Sequence, residues 1–210
     1  MTRKEAILGA ATELFARKGY KGTAVSEIAD QADVAQGTVF HHFKSKENLL
    51  ISICDELVRD YIKGMRQEAE GPGSGWDALE RILKFYQRFR NEHLESISVA
   101  LKETGDLSKA AREIHEHFCG LLNQVIEVKS KCIERGIKDG SIREVPIHAT
   151  ALLVHFLLVG KLHIETEGLL EMPDLDMELL EFCRRSLAAE EKLPKEYDQR
   201  SGGCEDALER

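Results

Sequence analysis

The chain has 210 residues, of which 42% are hydrophobic, so it can bury a sizeable core and is not a chain that is disordered throughout. Its formal net charge of −8 argues against a protein that coats nucleic acid over its whole surface. The acidic excess lies in the later part of the chain, because residues 1–50 carry a net charge of +1 and residues 51–210 a net charge of −9.

The five cysteines are odd in number, widely spaced and free of CxxC pairs, which favours free thiols over a disulfide framework or a zinc ribbon. No charged and then apolar leader opens the sequence. The longest apolar run, Ala149 to Gly160, is interrupted by His155 and is shorter than the roughly 20 residues of a membrane-spanning helix. We therefore expect a cytoplasmic protein that does not contact a membrane.

Apolar residues recur at three- and four-residue steps along most of the sequence, which predicts an all-α protein. Thr2 and Glu5 form a predicted capping box for the first helix, which Gly19 ends. Thr23 is the predicted N-cap of a second, short helix. A tight turn at Asp33 separates that helix from a third one.

The third predicted helix begins near Gln36 and directs Val39, Phe40 and Phe43 inward. Ser45 is the predicted cap of a long fourth helix, 46–68, and the glycine-rich segment 71–75 follows it. Later helices are predicted at 79–90, 94–101, 107–135, 148–165 and 176–191, with a turn at 168–173 between the last two.

The predicted helix 148–165 is apolar on nearly all sides, so it must be buried either within one chain or between two subunits. The sequence thus predicts an N-terminal three-helix domain, 1–50, and a larger helical domain, 51–192. The fourth helix would connect the two domains. The polar segment 193–210 is predicted to be a flexible tail.

Two short helices joined by a tight turn and preceded by a longer helix form the skeleton of a helix-turn-helix. The third helix leaves Gln36, Thr38, His41 and His42 outward, and these residue types contact bases and phosphates. Gln36 can pair with adenine in bidentate fashion, and Gly37 lets the backbone approach DNA closely. Because adjacent residues diverge on a helix, we expect only one of the two histidines to contact DNA.

This N-terminal pattern resembles the TetR (tetracycline-repressor-like) family of transcriptional regulators over about residues 4–50. The resemblance depends on Ile7-Leu8-x-x-Ala11, Leu14-Phe15, Gly19-Tyr20, Ile28-Ala29, Val34, Gly37-Thr38-Val39-Phe40, His42-Phe43 and Ser45-Lys46-Glu47-x-Leu49-Leu50. A much weaker similarity lies in Gly140-Ser141-Ile142-Arg143 and the apolar helix after it.

The resemblance implies a set of DNA contacts in the first domain, with Lys21, Lys44 and Lys46 on phosphates. Three positions depart from the family pattern: Asp33 replaces glycine in a left-handed turn, Ala35 replaces a capping serine, and Phe40 replaces tyrosine. The implied DNA-binding residues are Val25, Ser26, Gln36, Gly37, Thr38, Phe40, His41, His42, Lys44 and Lys46.

The resemblance also implies a dimer formed through 148–165 and 176–191 as a four-helix bundle, and a small hydrophobic effector bound in the larger domain. The protein would then be a repressor that binds a palindromic operator and is released by the effector. The candidate pocket residues are Trp76, Tyr86, Phe89, Phe118, Leu122, His155 and Phe156. Aromatic residues at helical spacing are more often plain core, and His155 and His163 are more often core or interface histidines than ligand contacts.

No motif of a nucleophilic, metal-dependent or phosphate-binding enzyme occurs in the sequence, so we expect neither catalysis nor a cofactor. His115 and Cys119 could share one helix face, but they lack a third ligand, and no metal site is predicted. Two alternatives stay open. One is a small-molecule-binding or enzymatic helical protein with a vestigial head, and the other is a purely structural partner-binding bundle.

Overall fold

The structure is a computed structural model that describes residues 2–103, 111–167 and 174–189, without the side chains of 101–118, 166 and 167. Within those ranges the chain is all-α, as predicted, and its extended backbone is limited to a single bridge between Ile142 and Ala188. The helices are α1 (Arg3–Lys18), α2 (Val25–Gln31), α3 (Gln36–Phe43), α4 (Lys46–Ala69), α5 (Gly75–Glu92), α6 (Leu94–Glu103), α7 (Ala111–Asp139), α8 (Ile147–Glu167) and α9 (Asp176–Leu187).

The capping box at the start of α1 is confirmed. The Thr2 hydroxyl accepts a hydrogen bond from the Glu5 N–H at 3.2 Å, and the Glu5 carboxylate accepts one from the Thr2 N–H at 2.8 Å. Gly19 ends α1 with φ 75°, a conformation that glycine adopts without a steric penalty. These local interactions fix both ends of the helix that supports the N-terminal core.

The predicted N-cap of α2 is wrong by one residue, since Ala24 occupies that position. The Thr23 hydroxyl instead donates back to the Gly19 carbonyl at 2.9 Å, and the Glu27 carboxylate accepts a hydrogen bond from the Ala24 N–H at 2.9 Å. Asp33 has φ 52°, which is the left-handed turn expected between α2 and α3. The turn therefore forms without glycine.

Ser45 caps α4 as predicted, and its hydroxyl accepts a hydrogen bond from the Asn48 N–H at 3.0 Å. The first half of α4 contributes Leu49 and Leu50 to one group of buried residues, and the second half contributes Ile62 and Met65 to another. We call these groups the N-terminal core and the C-terminal core. The helix α4 is therefore a rigid connection between the two.

The N-terminal core comprises the buried apolar residues of α1, α2, α3 and the first half of α4, together with Val99 of α6. The C-terminal core comprises those of α5, α7, α8, α9 and the second half of α4. Helix α6, which the sequence assigned to the larger domain, thus packs against α1. Its Ile97 faces the C-terminal core, so α6 contacts both groups.

Helices α5 and α7 cross at a pair of glycines, Gly75 and Gly136. A Cβ atom at Gly75 would lie 2.6 Å from the Cys132 carbonyl oxygen and closer still to the Gly136 backbone. The helix α7 continues through Gly136 to Asp139, whereas the sequence predicted its end at about Arg135. The glycine in α7 is therefore a site of close helix packing, and the helix ends only at Gly140, with φ 78°.

Helix α8 is only partly buried within the chain, so of the two predicted kinds of burial, the one within a single chain does not account for all of its apolar surface. Leu153 is 63% exposed, Phe156 59% and Leu157 41%, and on α9 Met177 is 68% and Phe182 58% exposed. Residues 147–165 have a mean hydropathy of 1.6 and are long and apolar enough to cross a membrane by length and composition alone. That run is longer than the one expected from sequence, but α8 also packs against α7 in the C-terminal core.

Ion pairs attach α9 to α5 and α8. The Asp176 carboxylate lies 2.8 Å from both the Arg90 guanidinium and the Lys161 ammonium. Burial would raise the pKa of Asp176, but hydrogen bonds from Lys161 and Arg90 outweigh it and hold the pKa below its usual value. The pairs therefore stay ionised at neutral pH and fix the start of α9.

Helix α9 ends earlier than predicted, at Leu187, because the following residues form backbone hydrogen bonds with the loop after α7. The Ala189 N–H donates to the Ser141 carbonyl, and the Arg143 N–H donates to the Leu187 carbonyl, both at 3.0 Å. The predicted start of α7 at residue 107, the turn at 168–173 and the tail at 193–210 lie outside the described residues.

Candidate functional site

The outer face of α3 is a polar, solvent-exposed surface beside the N-terminal core. Val39 and Phe43 are four residues apart, so they share one face of the helix, and both are buried in the N-terminal core, where α3 packs against α2 and α4. Gln36, Gly37, His41 and His42 are exposed, and Thr38 is half-buried. The structure therefore brings the predicted recognition residues together on one helix face.

Phe40 lies on that outer face, which corrects the prediction that it points inward. It is 43% exposed, because it follows Val39 by about 100° around the helix and none of the described helices covers that side. A phenyl ring there offers an apolar contact and no hydrogen bond. The surface thus combines hydrogen-bonding groups with one aromatic ring.

A depression beside α3 is bordered by residues that the sequence analysis missed. Thr2, Arg3 and Lys4 line it together with Gly37, Thr38 and both histidines of α3. The His41 and His42 rings lie 5.4 Å apart and border the same depression, although they diverge on the helix. The sequence signal that could have identified this side of the depression is the pair of basic residues, Arg3 and Lys4, directly after the N-cap Thr2.

The remaining predicted DNA contacts surround α3. Ser26 is exposed and Val25 half-buried at the start of α2, and Lys44 is exposed with φ 66°. Lys46 is half-buried, with its ammonium 4.3 Å above the centre of the Tyr20 ring. This cation–π contact orients the Lys46 side chain at the N-terminus of α4.

A second site is a cavity of about 510 Å³ within the described part of the chain, between α4, α5, α6, α7 and α8. Its volume lies within the range of small-molecule pockets. Four of the seven sequence candidates line it. The lining residues are Leu57, Val58, Tyr61, Tyr86, Phe89, Ile97, Ala100, Cys119, Leu122, Val125, His155, Val159 and Leu162.

Two other sequence candidates lie away from the cavity, which corrects their assignment. Trp76 is buried in the first turn of α5, where its backbone N–H donates to the Ser141 hydroxyl at 3.1 Å, so it contributes to the C-terminal core. Phe156 is 59% exposed on the outer side of α8, because its neighbour His155 takes the inward direction. The side chain of Phe118 lies outside the described residues.

The polar groups at the cavity belong to two tyrosines and a histidine. The Tyr86 hydroxyl donates to the Leu158 carbonyl at 2.9 Å. The Tyr61 hydroxyl is buried without a hydrogen-bond partner among the described residues, and burial raises its pKa. Nδ1 of His155 lies 3.2 Å from the Lys129 amine.

Lys129 is fully buried behind the cavity, on α7. Burial lowers the pKa of Lys129 to about 7, and burial together with the charge of Lys129 lowers the pKa of His155 to about 4. The sequence analysis missed this lysine, although it lies in the apolar stripe of α7 between Val125 and Ile133. A charge within such a stripe is the signal that could have revealed it.

The structure also bears on the metal and redox alternatives. In the described ranges, no group of three or more His, Cys, Asp or Glu side chains could hold a metal ion. Cys54, Cys132 and Cys183 are buried and form no disulfide within the described ranges, and Cys119 is exposed. The side chain of His115, the possible partner of Cys119, lies outside the part of the chain that can be described.

Comparison with known proteins relates the chain to bacterial regulators. A family model described as "Bacterial regulatory proteins, tetR family" matches residues 7–53. The HTH-type transcriptional regulator YhgD of Bacillus subtilis (strain 168) is 31% identical over 169 residues, covering 75% of this chain and 81% of that protein. The HTH-type transcriptional repressor KstR2 of Rhodococcus jostii (strain RHA1) is 30% identical over 146 residues, covering 67% of this chain and 68% of that protein.

A solved structure shows the same fold. The transcriptional regulator FadR from Bacillus subtilis, in complex with stearoyl-CoA, superposes with a TM-score of 0.70. It is 22% identical in sequence, and the match covers 85% of this chain and 96% of that one. At this identity, the likeness concerns the arrangement of the helices.

Proposed function

Since this chain belongs to the tetR family of bacterial regulatory proteins, we propose that it is a ligand-responsive repressor that binds a palindromic operator as a dimer. A small hydrophobic effector in the cavity would release it from DNA. One observation carries the proposal: the single helix α4 begins beside the exposed face of α3 and also forms a wall of the cavity. The two sites are therefore mechanically connected.

The DNA-binding half of the proposal depends on α3. Its N-terminal residues Gln36 and Thr38 would contact base edges in the major groove, where adenine offers N6 and N7 to a glutamine. Lys46 and one of the two histidines, His41 or His42, would contact phosphates, and these contacts position the helix without reading the sequence. The acidic excess beyond residue 50 keeps the rest of the molecule away from the duplex.

The dimer half depends on the exposed apolar face of α8 and α9. Leu153, Phe156 and Leu157 on α8, with Met177 and Phe182 on α9, would be covered by the same face of a second chain in a four-helix bundle. A two-fold dimer places two α3 helices about 34–36 Å apart, in successive major grooves. A palindromic operator follows from this symmetry.

Effector binding would act through α4 and α6. Leu57, Val58 and Tyr61 of α4 line the cavity, and Lys46 begins the same helix. Any tilt of α4 at the cavity is transmitted to its N-terminus, because the helix is continuous. A change from nearly all bound to nearly all free requires the effector to prefer the released form by about 5.5 kcal/mol.

The names of relatives support a repressor with an apolar effector. The Rhodococcus relative is called a transcriptional repressor, and the Bacillus structure contains stearoyl-CoA. Regulators of this kind are not enzymes and act on DNA, so we place the protein in the cytoplasm. For this chain, the repressor role, the apolar effector and the cytoplasmic location are parts of the same proposal.

The proposal is tested by selecting operators from a random pool of duplex DNA with the purified full-length protein. We expect a palindromic motif, two chains per site and affinity that falls steeply with salt. Apolar compounds are then screened for release of the selected operator. Absence of duplex binding at low salt would support a vestigial head instead, and binding without a selected motif would support a structural partner-binding bundle.

A further inference from the structure

The cavity has an unusual neighbour in Lys129, a fully buried amine that forms no ion pair with a carboxylate among the described residues. A buried charge without a counter-charge is strongly unfavourable. Its hydrogen-bond partner is Nδ1 of His155 on α8, at 3.2 Å. In the unbound protein, the described part of the chain therefore provides no negatively charged partner for Lys129.

The Lys129–His155 contact determines which hydrogen atoms face the cavity. A protonated lysine can only donate, so Nδ1 of His155 must accept and Nε2 must carry the ring proton. His155 lines the cavity, and Nε2 has no hydrogen-bond partner within the described ranges. The imidazole can therefore donate from Nε2 to a ligand while Lys129 polarises it from behind.

Tyr61 supplies a second donor to the same cavity. Its hydroxyl is buried and lacks a partner among the residues that the structure describes, whereas the Tyr86 hydroxyl is already bound to a backbone carbonyl. Most of the other lining residues are aliphatic or aromatic. The cavity thus combines an apolar wall with two unused donors and one buried positive charge.

We propose that the cavity binds an amphipathic carboxylate, whose head accepts hydrogen bonds from His155 and Tyr61 and is neutralised by Lys129. The apolar tail lies against residues such as Leu57, Phe89 and Leu122. The inference rests on the proposed function, because it takes this cavity as the effector site. It adds the charge and the chemical class of the effector.

The carboxylate and Lys129 stabilise each other. The anion provides the missing counter-charge, and hydrogen bonds from His155 and Tyr61 offset part of its desolvation. The titratable groups that line the cavity around this pair are His155 on α8, Tyr61 on α4, Tyr86 on α5 and Cys119 on α7. Both tyrosines stay neutral here, because burial raises their pKa values.

Binding of a carboxylate should be linked to protonation of Lys129. Since burial lowers its pKa to about 7, the amine of the unbound protein is increasingly neutral above that pH. A bound carboxylate raises the pKa, so binding takes up a proton and the affinity falls as the pH rises above about 7. A neutral ligand of the same length lacks this linkage.

The test measures binding of dodecanoate, dodecanol and dodecylammonium to the full-length protein by calorimetry, without DNA. We expect dodecanoate to bind at least about tenfold more tightly than the other two, and its affinity to fall between pH 7 and 9. Lys129→Met should remove the preference for dodecanoate and its pH dependence. Lys131→Met, an exposed lysine two residues away, should change neither.

A second variant, His155→Phe, keeps the inference testable if Lys129→Met does not fold. It should also remove the preference for dodecanoate, and an unchanged far-ultraviolet circular dichroism spectrum would show that it is folded. Equal binding of all three probes, or a dodecanoate preference that survives both variants, would overturn the inference. The same probes are then added to the operator complex. Release by dodecanol as strongly as by dodecanoate would overturn the inferred carboxylate head group and leave the repressor proposal standing. Binding of the carboxylate without any binding of DNA would overturn the repressor proposal and leave the carboxylate inference standing.

Discussion

At the scale of single residues, the position of Lys46 at a helix N-terminus favours the proposed contact with a DNA phosphate. Its ammonium lies over the Tyr20 ring at the N-terminus of α4, where a positive charge is unfavourable for the helix dipole. A DNA phosphate beside it would be attracted by the lysine and by the N–H groups of the helix. The local disadvantage is consistent with a role in binding.

We expect Lys46→Ala to weaken binding of all duplex sequences alike and to reduce the slope of log affinity against log salt by about one, because one phosphate contact is lost. Titration of labelled operator and random duplex at several salt concentrations measures both effects. Lys63→Ala, an exposed lysine farther along α4, is the matched control. A slope identical to that of the unmodified protein would argue against a phosphate contact.

Lys129 makes a separate prediction about stability. Burial lowers its pKa from the ordinary 10.5 to about 7. Below pH 7 the folded protein carries the full cost of a buried charge, and between pH 7 and 10.5 the unfolded chain holds more protons. Stability attributable to this residue therefore rises with pH across that interval.

Lys129→Met should accordingly raise the free energy of unfolding at pH 6 by a few kcal/mol, and the gain should shrink towards pH 10. Urea denaturation of both proteins at a series of pH values measures the difference. Lys131→Met should leave the free energy nearly unchanged at every pH, since that side chain is exposed. A gain that is the same at pH 6 and pH 10 would contradict the explanation by burial.

At the scale of helices, local signals determined most boundaries and packing determined the remainder. The ends of α1 and the start of α4 follow from caps that involve neighbouring residues. The predicted end of α7 at about Arg135 is wrong, because a glycine such as Gly136 often ends a helix but here lies inside one. In the structure it faces Gly75, and the absence of both side chains lets α5 and α7 approach closely.

We expect Gly75→Ala to lower the free energy of unfolding by about 3 kcal/mol, because the added methyl group meets backbone atoms that cannot rotate away. Gly9→Ala in α1, where no atom lies within 4 Å of the new Cβ, should instead raise it by about 0.5–1 kcal/mol. Chemical denaturation of the two variants gives both values. A neutral effect at Gly75 would mean that the two helices can separate without penalty.

At the scale of the whole molecule, the apolar face of α8 and α9 determines the proposed assembly. Its large side chains are more exposed than a monomeric protein usually leaves them in one patch. Phe156, which the sequence analysis assigned to the pocket, lies in this face. The same residue therefore supports the dimer and not the ligand site.

Phe156→Glu should weaken dimerisation by about 100-fold or more, because each dimer would bury two unpaired carboxylates. Sedimentation velocity over a range of concentrations measures the association, and operator affinity should fall with it. Leu94→Glu, which changes a similarly exposed residue on α6, should leave the dimer intact. An unchanged dimer in the Phe156 variant would place the subunit interface elsewhere.

Short-range patterns in the amino-acid sequence were enough to predict the helical fold and the position of α3. Caps, helix terminators and apolar periodicity act between residues a few positions apart, so they can be read without knowledge of the tertiary structure. The same short-range geometry predicts which side chains of α3 point outward, except that Phe40, predicted to point inward, is exposed. For the cavity, the family resemblance implied Tyr86, Phe89, Leu122 and His155, and all four are among the lining residues.

Which helix faces meet became known from the packing of the helices in three dimensions. This packing paired Lys129 with His155, which are 26 positions apart, attached α6 to the N-terminal core through Val99, and separated Trp76 from the cavity. These outcomes depend on the rotation and spacing of whole helices, and close contacts such as Gly75 against Gly136 fix both. Periodicity identifies the side of a helix that is buried, but not the element that buries it.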